Sequence, residues 1–450
     1  MDRVRINLWP IIVIVCVLGV FRVEITHGVS KLTIYQAIDL AFKNNESYLR
    51  AVNEVERANQ RVVEAQSSAL PQINASLNYV RNWELPSFVI SIDGEPKALR
   101  TGTVNTYSAG LTITQPIYVA GKVFTALSIA RKYKKMTLEQ KKMAEQNLRL
   151  EVIKAYYGAV MADELLKVTA ESENLAGKGL DVVNKLFAQG QVSDYEVLRA
   201  KVRLANARPQ TIQAQANSRL AHKVLNSLIG VPLEEQAELE FVIDSTQYIL
   251  PEVNLDSAKT QALENRPEIA MVDYQTQILK KVVSIAWGGW RPSIFFSSSL
   301  SYQAQSDRDR WPDSNDFLRS SFSAITMSIP VFDSWRTMAQ VKQAKIDLSQ
   351  SRLSQHELSD DIRLDVEQSW WNYKKARESL SSQGQAVEMA RRGLDIARLR
   401  FENGVGTQLE MFDAEVALTA AETNKVQAFY DLVTGYASFK RAIGEEELIK

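Results

Sequence analysis

One cysteine, Cys16, stands among 450 residues, and it falls inside an apolar stretch near the N-terminus. The rest of the chain can form no internal disulfide, so an exported fold would have to stand without one. Three histidines, His27, His222 and His356, are too few and too scattered for a zinc or haem site, and no cofactor is expected. Basic and acidic residues balance at 53 each, which removes the electrostatic footprint of a nucleic-acid binder. Glycine (19) and proline (12) are sparse, which argues against disorder and for long regular elements. Beyond residue 28 no apolar run is long enough for a transmembrane helix, so a membrane-spanning reading requires strands. No catalytic constellation is present either, and an enzyme is not expected.

What is there begins with Arg3 and Arg5 ahead of an apolar run from Leu8 to Phe21, broken by Pro10. A basic start and a short apolar stretch read as a secretory signal peptide over residues 1–28, with cleavage after Gly28. The alternative is a retained N-terminal anchor. Val15 precedes Cys16 where a lipoprotein would need a small residue, so Cys16 reads as an ordinary leader residue.

The chain repeats itself once. Residues 31–230 and 253–444 carry one pattern: Gln115-Pro116 matches Ile329-Pro330, Tyr156-Tyr157 matches Trp370-Trp371, and Gly190 and Gly230 match Gly404 and Gly444, all at an offset of 214. Asn44 and Pro71 match Asn265 and Pro292 at an offset of 221, so the length change falls between Pro71 and Pro116, in a loop. Each copy reads as a helix, a strand pair, a very long helix, a tight turn and a returning helix. The expected segments are 29–71 (first helix), 72–115 (two strands and a loop), 116–230 (long helices) and 231–257 (a linking segment). Then come 258–292, 293–330 and 331–444 as the second copy, and 445–450 as a tail. Thr33 to Ser68 is expected as one helix ended by Pro71. Lys122 to Phe187 would span roughly 100 Å as one helix, the length of a coiled coil. Gly177 and Gly179 predict a bend or break in it, and Pro209 a kink or interruption in the helix that follows. Tyr156-Tyr157 and Trp370-Trp371 read as packing residues.

Between Pro71 and Gln115 the period falls to two. Ile73, Ala75, Leu77 and Tyr79 alternate with Asn74, Ser76 and Asn78, and Tyr107, Ala109, Leu111 and Ile113 alternate with Ser108, Gly110 and Thr112. Ile294, Phe296, Leu300 and Tyr302 share a face in the second copy, and the last strand is weaker. Such alternation suits a transmembrane barrel strand or a half-buried soluble sheet. The hairpins sit at the far ends of very long helices, away from any globular core. Their tips, Asn82 to Asn105 and Gln305 to Leu318, read as long polar loops, which favours the barrel. Trp83, Tyr118, Phe332 and Trp335 near the strand ends suit interface girdles. Four strands cannot close a barrel alone, so at least two chains are needed.

In this order, twice, these features resemble the TolC-like outer-membrane efflux family. Leu32, Ala37 and Asn44, then Ala258, Ala262, Asn265 and Pro267, then Leu70-Pro71-Gln72 and Gln115-Pro116-Ile117-Tyr118 carry the resemblance, from about Leu32 to Gly444. It implies a mainly α chain with a transmembrane β part: a homotrimer, a shared twelve-stranded barrel in outer-membrane lipid, and a helical barrel reaching across the periplasm. It also implies a periplasmic adaptor and, through it, an inner-membrane pump. The two turns would be adaptor-facing tips, with Gly190, Val192 and Ser193 on one and Gly404, Val405 and Thr407 on the other. Ser193 and Thr407 are placed to cap the helices that follow. Glu410 and Asp413, three apart on one helix face, would form an acidic ring at the pore entrance. Phe401 and Gly406 stand where relatives carry a gating Tyr and Arg. A closed state would then rest on packing of Phe401 or on Glu196 and Arg199. The competing readings are a periplasmic coiled-coil scaffold and an adaptor protein without its own pore.

Overall fold

The computed structural model describes residues 31–92, 95–235, 238–240, 248–250 and 253–449. The signal-peptide reading of 1–28 and part of the linking segment lie outside them. The first helix of each repeat is two helices. α1 (Ile34–Asn44) and α2 (Glu46–Ser67) meet at Asn45, and α5 (Leu255–Asn265) and α6 (Pro267–Trp287) meet at Arg266. The expected single helix over Thr33–Ser68 is thus corrected. Asn45 is extended, and its side-chain oxygen accepts from the backbone N–H of Ser47 and Tyr48 at 3.0 and 3.1 Å, which restarts the helix. At Arg266 the following proline forces the same extended step.

The long helices are α3 (Lys122–Ala188) and α7 (Arg336–Glu402), 67 residues each, and α4 (Asp194–Ile229) and α8 (Gln408–Ala442) return from them. α3 runs unbroken through Gly177 and Gly179. A Cβ at Gly179 would meet Met411 and Phe412 at 3.7 and 3.8 Å, so this glycine lies in a packed seam between helices. α4 is likewise uninterrupted at Pro209. Pro209 and Ala205 are both exposed, so the Ala205 carbonyl that the proline leaves without a donor is open to solvent.

β1 (Gln72–Arg81), β4 (Asn105–Val119), β5 (Ser293–Ser306) and β6 (Leu318–Ser328) form one antiparallel sheet in that order. The register joins the apolar sets: Ile73 faces Ile113, Ala75 faces Leu111, Leu77 faces Ala109, and Leu111 faces Leu300. On the other face Asn74 pairs with Thr112, and Thr112 with Ser299, their hydroxyls 3.4 Å apart. β6 keeps Ile325 and Met327 on the apolar side but puts Phe322 opposite Ser299, on the polar side. β1 and β6 are open edges. The Asn82–Asn105 segment, read as a polar loop, holds a further hairpin, β2 (Ser87–Ile92) and β3 (Glu95–Arg100). The run Val89-Ile90-Ser91-Ile92 is rich in β-branched residues, which favours that choice.

The main core sits near the middle of the long helices. Tyr156 is buried, and its hydroxyl proton is shared between the carbonyls of Leu32 and Glu240, each at 2.7 Å. The Tyr157 and Tyr248 hydroxyls meet at 2.6 Å, and Tyr373 bridges Leu250 N–H and the Tyr248 carbonyl. Tyr156, Tyr157 and Trp370 are packing residues as expected; Trp371 is exposed, with the Lys374 ammonium over its ring. The tail folds back: Leu448 is fully buried in this core, and Lys440 holds Glu445 at 3.0 Å.

Candidate functional site: the helical tips

Both long hairpins turn by the same device. Gly190 and Gly404 adopt φ of +72° and +73°. The N–H of Gly190 and of Gly404 donates to the carbonyls of Phe187 and Phe401. The next N–H, of Gln191 or Val405, reaches back to Leu186 or Arg400 at 2.9 Å. This closes the orphan carbonyls of a helix end and needs the left-handed conformation that glycine adopts without strain. Thr407 caps α8 by accepting the Glu410 N–H at 3.2 Å. Ser193 occupies the equivalent cap position with extended backbone but makes no side-chain cap bond, which corrects that expectation. Val405 is exposed, whereas Val192 packs under the tip.

Gly406 is a steric requirement. A Cβ there would stand 2.9 Å from Arg400 Cβ and 3.1 Å from the Phe401 nitrogen. Phe401 is 7% exposed and packs with Val183, Val197, Ala200, Met411 and Phe412, joining the α3–α4 hairpin to the α7–α8 hairpin. Glu410 and Asp413 are both exposed on α8, and Glu410 lies 3.7 Å from Arg400. Glu196 contributes its backbone carbonyl to Gln408 at 3.3 Å, and Arg199 sits 5.8 Å from the Phe412 ring. Among the described ion pairs none joins Glu196 to Arg199.

The charged link between the hairpins is a pair that reading the sequence missed. Arg203 on α4 meets Glu415 on α8 at 2.6 Å, donates to the Phe412 carbonyl at 3.2 Å, and stacks its guanidinium 4.4 Å from the Phe412 ring. Glu415 is 3% exposed. Burial pushes its carboxyl above the usual range while Arg203 opposes, and burial pushes Arg203 down while Glu415 opposes. Among the described residues it is the one ion pair between the two hairpins. A signal existed: Glu415 lies on the buried stripe Gln408, Met411, Phe412, Leu418, where an acid is out of place without a partner.

At the other end, the ten residues of β1 extend about 33 Å, or about 23 Å in height when tilted by 45°, near the ~25 Å apolar band of a membrane barrel. Aromatic pairs mark both limits: Trp287 with Trp290 and Phe332 with Trp335 on the helix side, Tyr79 with Tyr107 and Tyr107 with Trp311 beyond. Among the described residues no helix is long and apolar enough to cross a membrane.

Comparison with known proteins agrees with this geometry. The family model described as Outer membrane efflux protein matches residues 37–231 and 259–445, one block per repeat. The alkaline protease secretion protein AprF of Pseudomonas aeruginosa is 22% identical, over 94% of this chain and 86% of its own. The outer membrane protein TolC of Vibrio cholerae is 21% identical, over 90% and 89%. The crystal structure of the Campylobacter jejuni CmeC outer membrane channel superposes with a TM-score of 0.77 at 17% identity, covering 91% of this chain and 85% of that one.

Proposed function

The chain belongs to the outer membrane efflux protein family, and on that premise we propose that three copies assemble into one continuous exit duct. As an outer-membrane efflux channel it is neither a periplasmic scaffold nor an adaptor. The observation that carries the assembly is the four-stranded sheet with two open edges. An open edge in lipid leaves backbone groups unpaired, at several kcal/mol each. Three copies would supply twelve strands, and the long helices would continue the duct through the periplasm. Substrate passes passively; the energy comes from an inner-membrane pump joined through a periplasmic adaptor.

The tips are the proposed docking and gating end. Gly190 and Ser193 with Gly404, Val405 and Thr407 face the adaptor, and Val192 packs beneath them. Glu410 and Asp413, repeated by symmetry, ring the entrance and favour cations. The resting state is held by Phe401 packing and by Arg203–Glu415, since Phe401 has no hydroxyl and Gly406 no side chain. Glu196 and Arg199 support that seam from α4.

The mass of the detergent-extracted outer-membrane protein tests the assembly. Three times the mass of the chain without its leader is expected; a monomer soluble without detergent would return the scaffold reading.

A further inference from the structure

Among the described residues the β2–β3 hairpin is a two-stranded sheet that joins no other. Phe88 pairs across it with Leu99, and they are 59% and 56% exposed; Ile90 shares their face, and Val89 on the opposite face is 72% exposed. A lone two-stranded hairpin is marginal in water, more so with apolar side chains left uncovered. Its base, however, is fixed. Arg81 grips Asp309 with two bonds of 2.8 and 3.2 Å, Val104 N–H donates to Asp307 at 3.0 Å, and the Asn105 amide donates to the Arg308 carbonyl at 3.1 Å. The hairpin is therefore held in one place by its own chain without being covered by it.

That place is the subunit seam. β1 and β6 are the open edges and run in opposite directions, so closing the barrel lays β1 of one copy antiparallel beside β6 of the next. β1 ends at Arg81 on the side where β6 begins at Leu318. The hairpin that leaves Arg81 thus rises beside the segment that leads into Leu318 of the next copy. That segment ends in uncovered apolar surface at the β6 edge, where Leu318 is 77% exposed, while Trp311, 73% exposed, leans back with its ring edge-on to Tyr107 of its own chain at 4.9 Å. We infer that β2–β3 is an intersubunit clasp, with Phe88, Ile90 and Leu99 packed on the segment that leads into Leu318 of the neighbouring copy. The inference rests on the multi-chain barrel proposed above.

Disulfide trapping tests it, because the only native cysteine, Cys16, falls in the leader read over residues 1–28. Leu99→Cys and Leu318→Cys are introduced together in the full chain and the outer membranes are mildly oxidised. Linked dimers and trimers on a non-reducing gel, absent from either single variant, are expected. Unlinked chains in a protein whose native mass is still a trimer overturn the clasp and leave the assembly standing. A monomeric native mass overturns both. A second variant, Phe88→Ser with Leu99→Ser, is expected to lower the temperature at which the trimer dissociates while single-channel conductance stays the same. Raised conductance with an unchanged dissociation temperature would put the hairpin over the channel mouth and overturn the clasp.

Discussion

Gly230 and Asn44 meet so closely that a Cβ on Gly230 would stand 2.4 Å from Asn44 Cβ, and the second repeat places Gly444 against Asn265 in the same way, at 2.7 Å. Both glycines end a helix with positive φ, +69° and +80°. The close approach lets the Asn44 amide donate to the Ile229 carbonyl at 3.3 Å. Each repeat thus ties its first helix to the end of its last through one Asn–Gly contact.

Gly230→Ala therefore meets two penalties, a strained φ and a clash, together about 3 kcal/mol. Gly190→Ala meets only the first, about 1–2 kcal/mol, because no atom of the described residues lies within 4 Å of a Cβ there. Thermal denaturation of the two purified variants should rank them in that order. Equal losses would mean that the Asn44 contact yields without cost.

Glu415→Gln removes one member of a buried ion pair and leaves Arg203 facing a neutral amide. Breaking such a pair typically costs about 3–5 kcal/mol. Because the pair spans the two hairpins, the loss should appear as looser docking of the tips. Single-channel recording in planar bilayers should show longer or larger openings than in the unaltered protein, and Arg203→Met should do the same. Unchanged recordings from a correctly assembled variant would remove the pair from the gate.

His222 on α4 donates its Nε2–H to the Asp163 carboxylate on α3 at 2.9 Å, and Ser218 donates to the same carboxylate at 2.6 Å. The Asp163 hydrogen bond raises His222 above its ordinary value. Burial pulls Asp163 up, but the bonds from His222 and Ser218 outweigh it and hold the carboxyl low. A raised histidine stabilises below its unfolded pKa of about 6.5 and loses that contribution as pH rises through the folded value. A lowered aspartate stabilises above about 3.9 and loses it as pH falls through the folded value. The pair thus acts in the window between about pH 4 and 6.5. His222→Gln should lower the melting temperature at pH 5.5 and have much less effect at pH 8.5. A pH-independent difference would show that His222 acts only by packing.

The strands and tips were legible in the sequence because their signals are local. Alternation at Ile73 to Tyr79 and the glycines at 190 and 404 need no knowledge of distant residues. What was not legible depends on partners far along the chain. The break at Asn45 is stabilised by its amide donating to the Leu228 carbonyl, 183 residues away. α3 stays helical at Gly179 because Met411 and Phe412 pack there. Arg203 and Glu415 look like two solvated charges until α4 and α8 are laid side by side. Gly406 likewise reads as a missing arginine in sequence and as a close backbone contact in structure.

The proposed acidic entrance offers a graded test, because its two carboxylates are not equivalent. Glu410 has Arg400 3.7 Å away, which offsets part of its charge, while Asp413 is in no ion pair among the described residues and feels Arg203 only at longer range. Three copies of Asp413 would therefore set more of the negative potential at the mouth than three copies of Glu410. Asp413→Asn should move the reversal potential in a salt gradient toward that of an unselective pore, and Glu410→Gln should move it less. Replacing both should come close to abolishing cation preference, with a weaker effect in high salt, where screening shortens the reach of the ring to about 3 Å at 1 M. If neither variant moves the reversal potential while Arg203 and Glu415 variants alter opening, the tips gate the duct without selecting its ions.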